Sequence, residues 1–327
     1  MLRILSIFFL LFSIYLVQAQ QIYHRTTLLM GSRYDISVVA ENEQEGDTYI
    51  DIAIAEIRRI ERLISSWDPN SQTSAINRNA DVQPVKVDKE LFSLIERALA
   101  ISRITDGAFD ISYASMDRVW TFDGSMTHLP TEEEIKESVK KVGFKNILLD
   151  KKNQTIFFKQ KGIKIGFGAI GKGYSADKAK QLLISKGVRA GIINASGDMN
   201  TWGKRPNGED WTVAITNPMN KNKAFAILPL KQGAVVTSGD YEKFVTLDGI
   251  RYSHIINPKT GYPAKGIISV TVFAPSAEFA DALATAVFVM GKDVGIDRIN
   301  QLSNVECIII DDKGTIHKSR NIKINEE

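Results

Sequence analysis

Asp281 and Thr285 stand four residues apart in the stretch FADALATA (279–286), where every other side chain is apolar. Positions i and i+4 share one face of a helix and lie close together. A carboxylate carried toward a core is costly unless something compensates it. Two answers fit the pair by itself. An arginine or a neighbouring helix end can pair with Asp281, while Thr285 bonds back to its own helix. Alternatively, the carboxylate, the hydroxyl and a backbone carbonyl bind a hard cation such as Mg²⁺, which usually keeps waters and phosphate oxygens as well.

Three other segments carry chemistry-bearing residues. In GFGAIGKGYSAD (166–177) glycines crowd a strand-to-helix step. Backbone N–H groups and a helix dipole can face a phosphate there, and Lys172 adds a positive charge. The order of glycines matches neither the Walker loop nor GxGxxG, and a tight turn with a solvated lysine reads equally well. In TSGDYEKF (237–244) and YSHIINPKTGYP (252–263), His254 precedes a Pro/Gly turn in a dense polar stretch, a place where a proton acceptor can be held. No second histidine lies at ligand spacing, which argues against a histidine metal site. In SSWDPNSQTSAINRN and TDGAFDIS, Trp67 and Phe109 each adjoin an aspartate on a loop. Such an aromatic either stacks on a planar ring or pins its loop to the core.

The elements that must position these residues follow from periodicity. YDISVVA from Tyr34 alternates as a strand, and Ile50 to Trp67 repeats apolar residues at helical spacing. DPNSQTSAINRN reads as a polar loop. Asp88 caps a helix through Ile104, and TDGAFD is a loop. Thr131 and Glu134 form a capping box for a helix to about Val142. NILLD, TIFFK and KIGF read as strands. A helix from Tyr174 to Lys186 stops at Gly187. AGIINA, WTVAITNP, FAILPL, AVVTSGD and ISVTVFA are further strands, and FVTLDGIRYSHII is a hairpin turning at Asp248-Gly249. The FADALATA helix opens at Pro275-Ser276 and ends at Gly291. A helix from Asp293 to about Leu302 and a strand around Cys307 follow. Helices set among groups of strands define a mixed α/β or α+β fold, one domain with mixed sheets and a helical N-terminal lobe.

Composition narrows the function. The chain has 327 residues, 44% hydrophobic and 24% charged, with a formal net charge of +3. No basic stripe interleaved with aromatics marks a nucleic-acid groove. Arg3 followed by the apolar run Ile4 to Val17 and then Ala19 predicts a cleaved secretory signal peptide over 1–19, with the folded domain over 20–327 and an exported, periplasmic location. The single cysteine, Cys307, excludes an internal disulfide and reads as a small core residue.

Taken in order, the segments MGSRYDI, SSWDPNSQTSAIN, TDGAFD, GAIGKGYSAD, ASGDMN, TSGDYEKF, HIINPKTGYP and ADALATAVFVMG, from about Met30 to Gly291, resemble the ApbE family of FAD:protein FMN transferases. The resemblance implies binding of FAD and Mg²⁺, cleavage of the FAD pyrophosphate, and transfer of FMN through a phosphoester to a threonine of a target flavoprotein, with release of AMP. It implies targets such as subunits of NADH:quinone oxidoreductase or Rnf-type complexes, or other periplasmic flavoproteins, which would bring the protein close to the inner membrane. The matching positions imply metal binding by the Ala169 carbonyl, Asp281 and Thr285. They imply flavin contacts from Met30, Trp67, Ala108, Phe109, Asp110, Lys172 and Ile255. His254 corresponds to the residue that activates the acceptor threonine, and Lys172 shares negative charge in the reaction. Gly166 stands where relatives often carry Asp. The competing expectations are an Mg²⁺-dependent FAD pyrophosphatase, with water as acceptor, and a non-catalytic periplasmic flavin-binding protein.

Overall fold

The computed structural model describes residues 20–217, 220–230, 233–240 and 243–322, leaving aside the side chains of 216–226. The apolar N-terminal segment 1–19, and Tyr241 and Glu242 of TSGDYEKF, lie outside the described residues.

The N-terminal half begins with strands β1 (Gln21–Leu29) and β2 (Ser32–Ala40), then helices α1 (Glu43–Ile64) and α2 (Gln72–Asn79). Next come β3 (Val85–Lys86), α3 (Lys89–Ile104), α4 (Glu132–Ser138), β4 (Ile147–Asp150) and β5 (Thr155–Phe158). Helix α5 (Gly171–Ser185) leads into β6 (Gly191–Ala195), β7 (Asp198–Trp202), β8 (Trp211–Asn217), β9 (Asn220–Leu230) and β10 (Gly233–Gly239). The chain continues with β11 (Phe244–Leu247), β12 (Ile250–Ser253), β13 (Ile267–Ala274), α6 (Ala277–Met290), α7 (Lys292–Asn300), β14 (Glu306–Asp311) and β15 (Ile316–Lys318). Eight strands form the main sheet in the order β1-β2-β6-β7-β10-β13-β14-β15, and every described pairing is antiparallel. The fold is α+β, with helices α1–α3 and the small sheet β3-β5-β4 making up the N-terminal lobe.

Local chemistry explains most boundaries. Asn42 starts α1 earlier than apolar spacing suggests, because its side chain accepts from Glu45 N at 3.0 Å. Ser65 ends α1 and turns its hydroxyl to the amides of Trp67 and Asp68, so Trp67 is on a loop rather than on the helix. The Thr131–Glu134 capping box is present, but α4 stops at Ser138. Asp248 and Gly249 take positive φ of 51° and 75°, as the hairpin turn requires.

Three sequence expectations are corrected. DPNSQTSAINRN is not all loop: Ser71 caps α2 by accepting Ser74 N at 2.9 Å, and Ile76 is fully buried. KIGF makes no described strand. Its backbone is held by side chains instead: Asn77 bonds Ile165 N and O at 2.8 and 2.9 Å, and Ser115 Oγ accepts Lys164 N at 2.8 Å. Asp88 stands at the N-cap of α3 without capping it, since its carboxylate accepts from Gln72 Nε2.

Helix α6 lies at the junction of two cores. Ala280, Leu283, Ala284 and Val287 join the core under the main sheet, together with Ile36, Val38 and Ile193. Ala282 and Ala286 join the second core, with Leu91, Ile95 and Phe109 of the N-terminal lobe. Burial on nearly all sides is why the helix is apolar apart from Glu278, Asp281 and Thr285. Cys307 is wholly buried, and burial pushes its thiol up to about 12, so it is a core residue.

Candidate functional site

The first turn of α5 meets the first turn of α6. Gly173 makes this possible: a Cβ there would lie 2.1 Å from the Ala277 carbonyl oxygen. With no side chain in the way, Gly173 N–H donates to Asp281 Oδ2 at 3.1 Å. Asp281 is only 4% exposed, and α5 has no side-chain cap of its own. One half of the alternative posed by the sequence is thus realised, since Asp281 caps a neighbouring helix. Thr285, half-buried, follows one turn along α6, and Ala169 lies in the turn just before α5. The glycine turn and the Asp281 helix are therefore joined in space.

Around this junction sits a charged group. Lys172 Nζ pairs with the buried Asp198 Oδ2 at 2.6 Å, tying α5 to the start of β7. Tyr34 of β2 is fully buried and shares a hydrogen bond with Ser175 Oγ at 2.9 Å. Its hydroxyl donates to Met30 Sδ at 3.2 Å, which draws Met30 to the site. Burial is the main reason the Tyr34 phenol titrates far above its usual value. The charges of Asp198 and Asp281 also raise it and that of Lys172 lowers it, so all three lie within electrostatic reach.

His254 follows β12. Its Nδ1 is 2.9 Å from the Lys243 carbonyl oxygen. A carbonyl only accepts, so Nδ1 carries the proton and Nε2 keeps its lone pair, the tautomer a base needs. Burial, then the charges of Lys243 and Lys172, hold its pKa below the usual value and outweigh that hydrogen bond. The loop beyond is braced: Ala264 N donates to Ile255 O at 2.8 Å, Gly261 N to Asn257 O at 2.8 Å, and Trp120 Nε1 to Gly261 O at 2.9 Å. Ile255 is buried in the main core.

The remaining flavin-contact candidates divide. Ala108 and Phe109 are buried in the same core as Ile170, with Ala169 packed against it. Their turn touches the His254 loop, since a Cβ on Gly107 would stand 3.5 Å from Lys259 Cε. The Asp110 carboxylate serves its own turn, accepting from Ser112 N at 2.8 Å, Ser112 Oγ at 2.6 Å and Phe144 N at 2.8 Å. Trp67 is 79% exposed, with the Arg118 guanidinium 5.2 Å from its ring centroid. A cavity of about 810 Å³ opens between Arg103, Gly107, Asp110, Phe144, Lys145 and Lys259. Among the predicted site residues it touches Asp110 alone, so shape by itself does not find the α5–α6 junction. At Gly166 a Cβ would come 3.1 Å from Ala114 Cβ, so a side chain there requires that neighbour to give by a few tenths of an ångström.

Tyr34, Ser175, Asp177, Asp198 and Asn200 escaped the sequence reading. Each lies inside a matched motif, but their contacts join α5 to distant strands and helices. Among the described residues no three His, Cys, Asp or Glu side chains gather at metal spacing. A cation here would rest on one carboxylate, a hydroxyl and a carbonyl, the donor set of an ion that also takes oxygens from a phosphate substrate.

A glycine-lined helix N-terminus with a lysine, backed by a buried carboxylate on a second helix, marks an α+β protein built to handle phosphate groups. The ApbE family model matches residues 30–309, and the chain belongs to that family. Among similar proteins is the FAD:protein FMN transferase of Treponema pallidum, 29% identical over 304 residues, covering 88% of this chain and 84% of that protein. The FAD:protein FMN transferase of Salmonella typhimurium is 30% identical over 271 residues, covering 80% of this chain and 77% of the relative. The crystal structure of the ApbE protein of Thermotoga maritima superposes with a TM-score of 0.84 at 34% identity, covering 92% and 97% of the two chains.

Proposed function

We propose that this protein is an Mg²⁺-dependent FAD:protein FMN transferase acting on a threonine hydroxyl of an exported flavoprotein, such as a subunit of an NADH:quinone oxidoreductase or Rnf-type complex. The observation that carries the reading is the Gly173–Asp281 contact, which sets a glycine-lined helix N-terminus against the carboxylate of α6. The residues fit the cation: Asp281, Thr285 and the Ala169 carbonyl would hold Mg²⁺. When bound, the ion neutralises pyrophosphate charge and makes phosphorus a better electrophile.

The rest is done by this chain. The α5 N-terminus faces the pyrophosphate, and Lys172 would reach it while shared with its partner Asp198. Trp67, exposed on its loop, and the half-buried Met30 offer surface to the isoalloxazine ring, while Asp110 fixes the turn that carries the buried Ala108 and Phe109, and Ile255 lies buried beside the His254 loop. The His254 Nε2 lone pair takes the proton of the acceptor threonine. The threonine oxygen bonds to the FMN phosphorus, the P–O bond to the bridging oxygen breaks, and AMP leaves with that oxygen. Phosphoryl transfer depends mostly on such positioning and charge neutralisation. The N-terminal run over 1–19 supports export to the periplasm, where a membrane-bound target would bring the enzyme to the inner membrane.

The test is the intact mass of a flavin-acceptor domain incubated with the protein, FAD and Mg²⁺. We expect a gain of one FMN residue, absent with EDTA. FMN and AMP accumulating without that gain would make the protein a pyrophosphatase. Intact FAD would leave a flavin-binding protein.

The pH profile follows from His254. Only its neutral form accepts a proton, and its pKa is lowered from 6.5. The neutral form therefore persists on acidification past that value. Single-turnover transfer should be flat near pH 7 and decline with a midpoint below 6.5. A rate still climbing from pH 7 to 8 would assign the proton transfer to another group.

A further inference from the structure

Asp177 lies one helical turn beyond Gly173 on α5, and its carboxylate closes the N-terminus of α6. Oδ1 accepts from Ala277 N at 2.9 Å and Oδ2 from Glu278 N at 2.8 Å. Ser276 Oγ takes the next amide, Phe279 N, at 3.3 Å. The first three unsatisfied N–H groups of the helix are thereby matched to side-chain oxygens. Asp177 is itself held: Asn200 Nδ2 donates to its Oδ1, and Lys180 Nζ donates to Asn200 Oδ1 at 2.7 Å and Thr201 O at 2.8 Å. Asp177, Lys180 and Asn200 are 6%, 8% and 1% exposed. Burial lifts the Asp177 carboxyl to about 6, so near neutral pH it still meets the helix dipole as an anion.

This arrangement has a geometric consequence. Ala169 precedes the leading end of α5, while Asp281 and Thr285 ride on α6. The spacing between these groups is the spacing between the two helices. Two contacts fix it, one turn apart on α5: Gly173 with Asp281, and Asp177 with Ala277 and Glu278. A slide of α6 by a single residue would move its carboxylate by about 1.5 Å, enough to spoil a cation site. Arg97 grips Glu278 through two bonds of 2.6 and 3.0 Å and stands over the Tyr174 ring of α5.

We propose that Asp177 is the positioning residue of this site, locking α6 against α5 so that the Ala169 carbonyl, Asp281 and Thr285 converge on one cation. The inference rests on the Mg²⁺ reading above. Its test is Mn²⁺ binding followed by electron paramagnetic resonance, with ADP as a pyrophosphate probe lacking flavin, alongside thermal melting. Asp177→Ala should weaken Mn²⁺ binding by about 10–100-fold, the usual loss when a group orienting a metal ligand is removed. Asp177→Asn keeps one accepting oxygen and should fall between the two, and it carries the test if the alanine variant does not fold. Val39→Ala, in a separate cluster with Ala190 and Trp211, should lower the melting temperature and leave Mn²⁺ affinity unchanged.

Wild-type affinity in Asp177→Ala would overturn the proposal. So would an equal loss in Val39→Ala at matched melting temperature, which would reduce Asp177 to a stability residue. If wild-type protein with ADP binds no Mn²⁺, the cation site itself falls and the inference falls with it, a result distinct from equal binding by wild type and variant.

Discussion

Asp281→Ala is expected to reduce Mg²⁺-supported flavin transfer by about 10³-fold or more, several kcal/mol of lost charge stabilisation at phosphorus. The carboxylate is the one anionic side chain of the proposed cation set, and a neutral replacement leaves a hydroxyl and a carbonyl. Alanine also removes the acceptor of the Gly173 amide. An unpaired buried N–H costs about 1–3 kcal/mol, so part of the loss in this variant reflects the helix junction. Asp281→Asn separates the two roles. Its amide oxygen still accepts from Gly173, while the charge is gone. We expect Asp281→Asn to melt near the wild-type temperature and to transfer as poorly as the alanine variant, with partial recovery at high Mg²⁺. Initial rates across a Mg²⁺ titration, with melting curves on the same samples, decide it. Full turnover of either variant at low Mg²⁺ would remove Asp281 from the cation site.

The same residue shows how far the sequence could be read. Asp281 and Thr285 were visible because they break an apolar pattern locally, and the glycine turn because glycines cluster before a helix. The capping box at Thr131 and the hairpin turn at Asp248-Gly249 are likewise complete within four residues. What stayed hidden is tertiary. No local pattern shows that Gly173 must touch Ala277, or that Asp177 caps a helix 100 residues later. Lys172 read equally well as a phosphate-facing cation or a solvated lysine, because its partner, Asp198, is two elements away. β1 went unread because most of its side chains remain at least partly exposed, so it lacks a clean buried face. α2 and KIGF were misread together. Asn77 on α2 supplies the hydrogen bonds that a neighbouring strand would have given Ile165.

His254→Ala is the second large effect, and its interest lies in what it should leave intact. A positioned base typically contributes about 10²–10⁴-fold, and transfer to the acceptor threonine should fall by that factor. FAD binding should survive, because the imidazole is held by the Lys243 carbonyl and the edge of Phe122, with ring centroids 6.5 Å apart, and not by the Ala108–Phe109 turn or by Ile255. The adjoining loop keeps its backbone bond to Asn257 and the bond from the Trp120 indole, so truncation at 254 does not unfasten it. His254→Asn places an amide where Nδ1 was and supplies no base, so it should restore the loop contact without restoring transfer. Fluorescence titration with FAD in EDTA reads binding, and acceptor mass reads transfer. If both variants lose FAD affinity in step with transfer, His254 is a flavin-site residue, and the proton of the threonine must go elsewhere. If binding holds and transfer fails, the residue acts on the acceptor, and the lowered pKa of its ring explains why the neutral imidazole is available to do so at neutral pH.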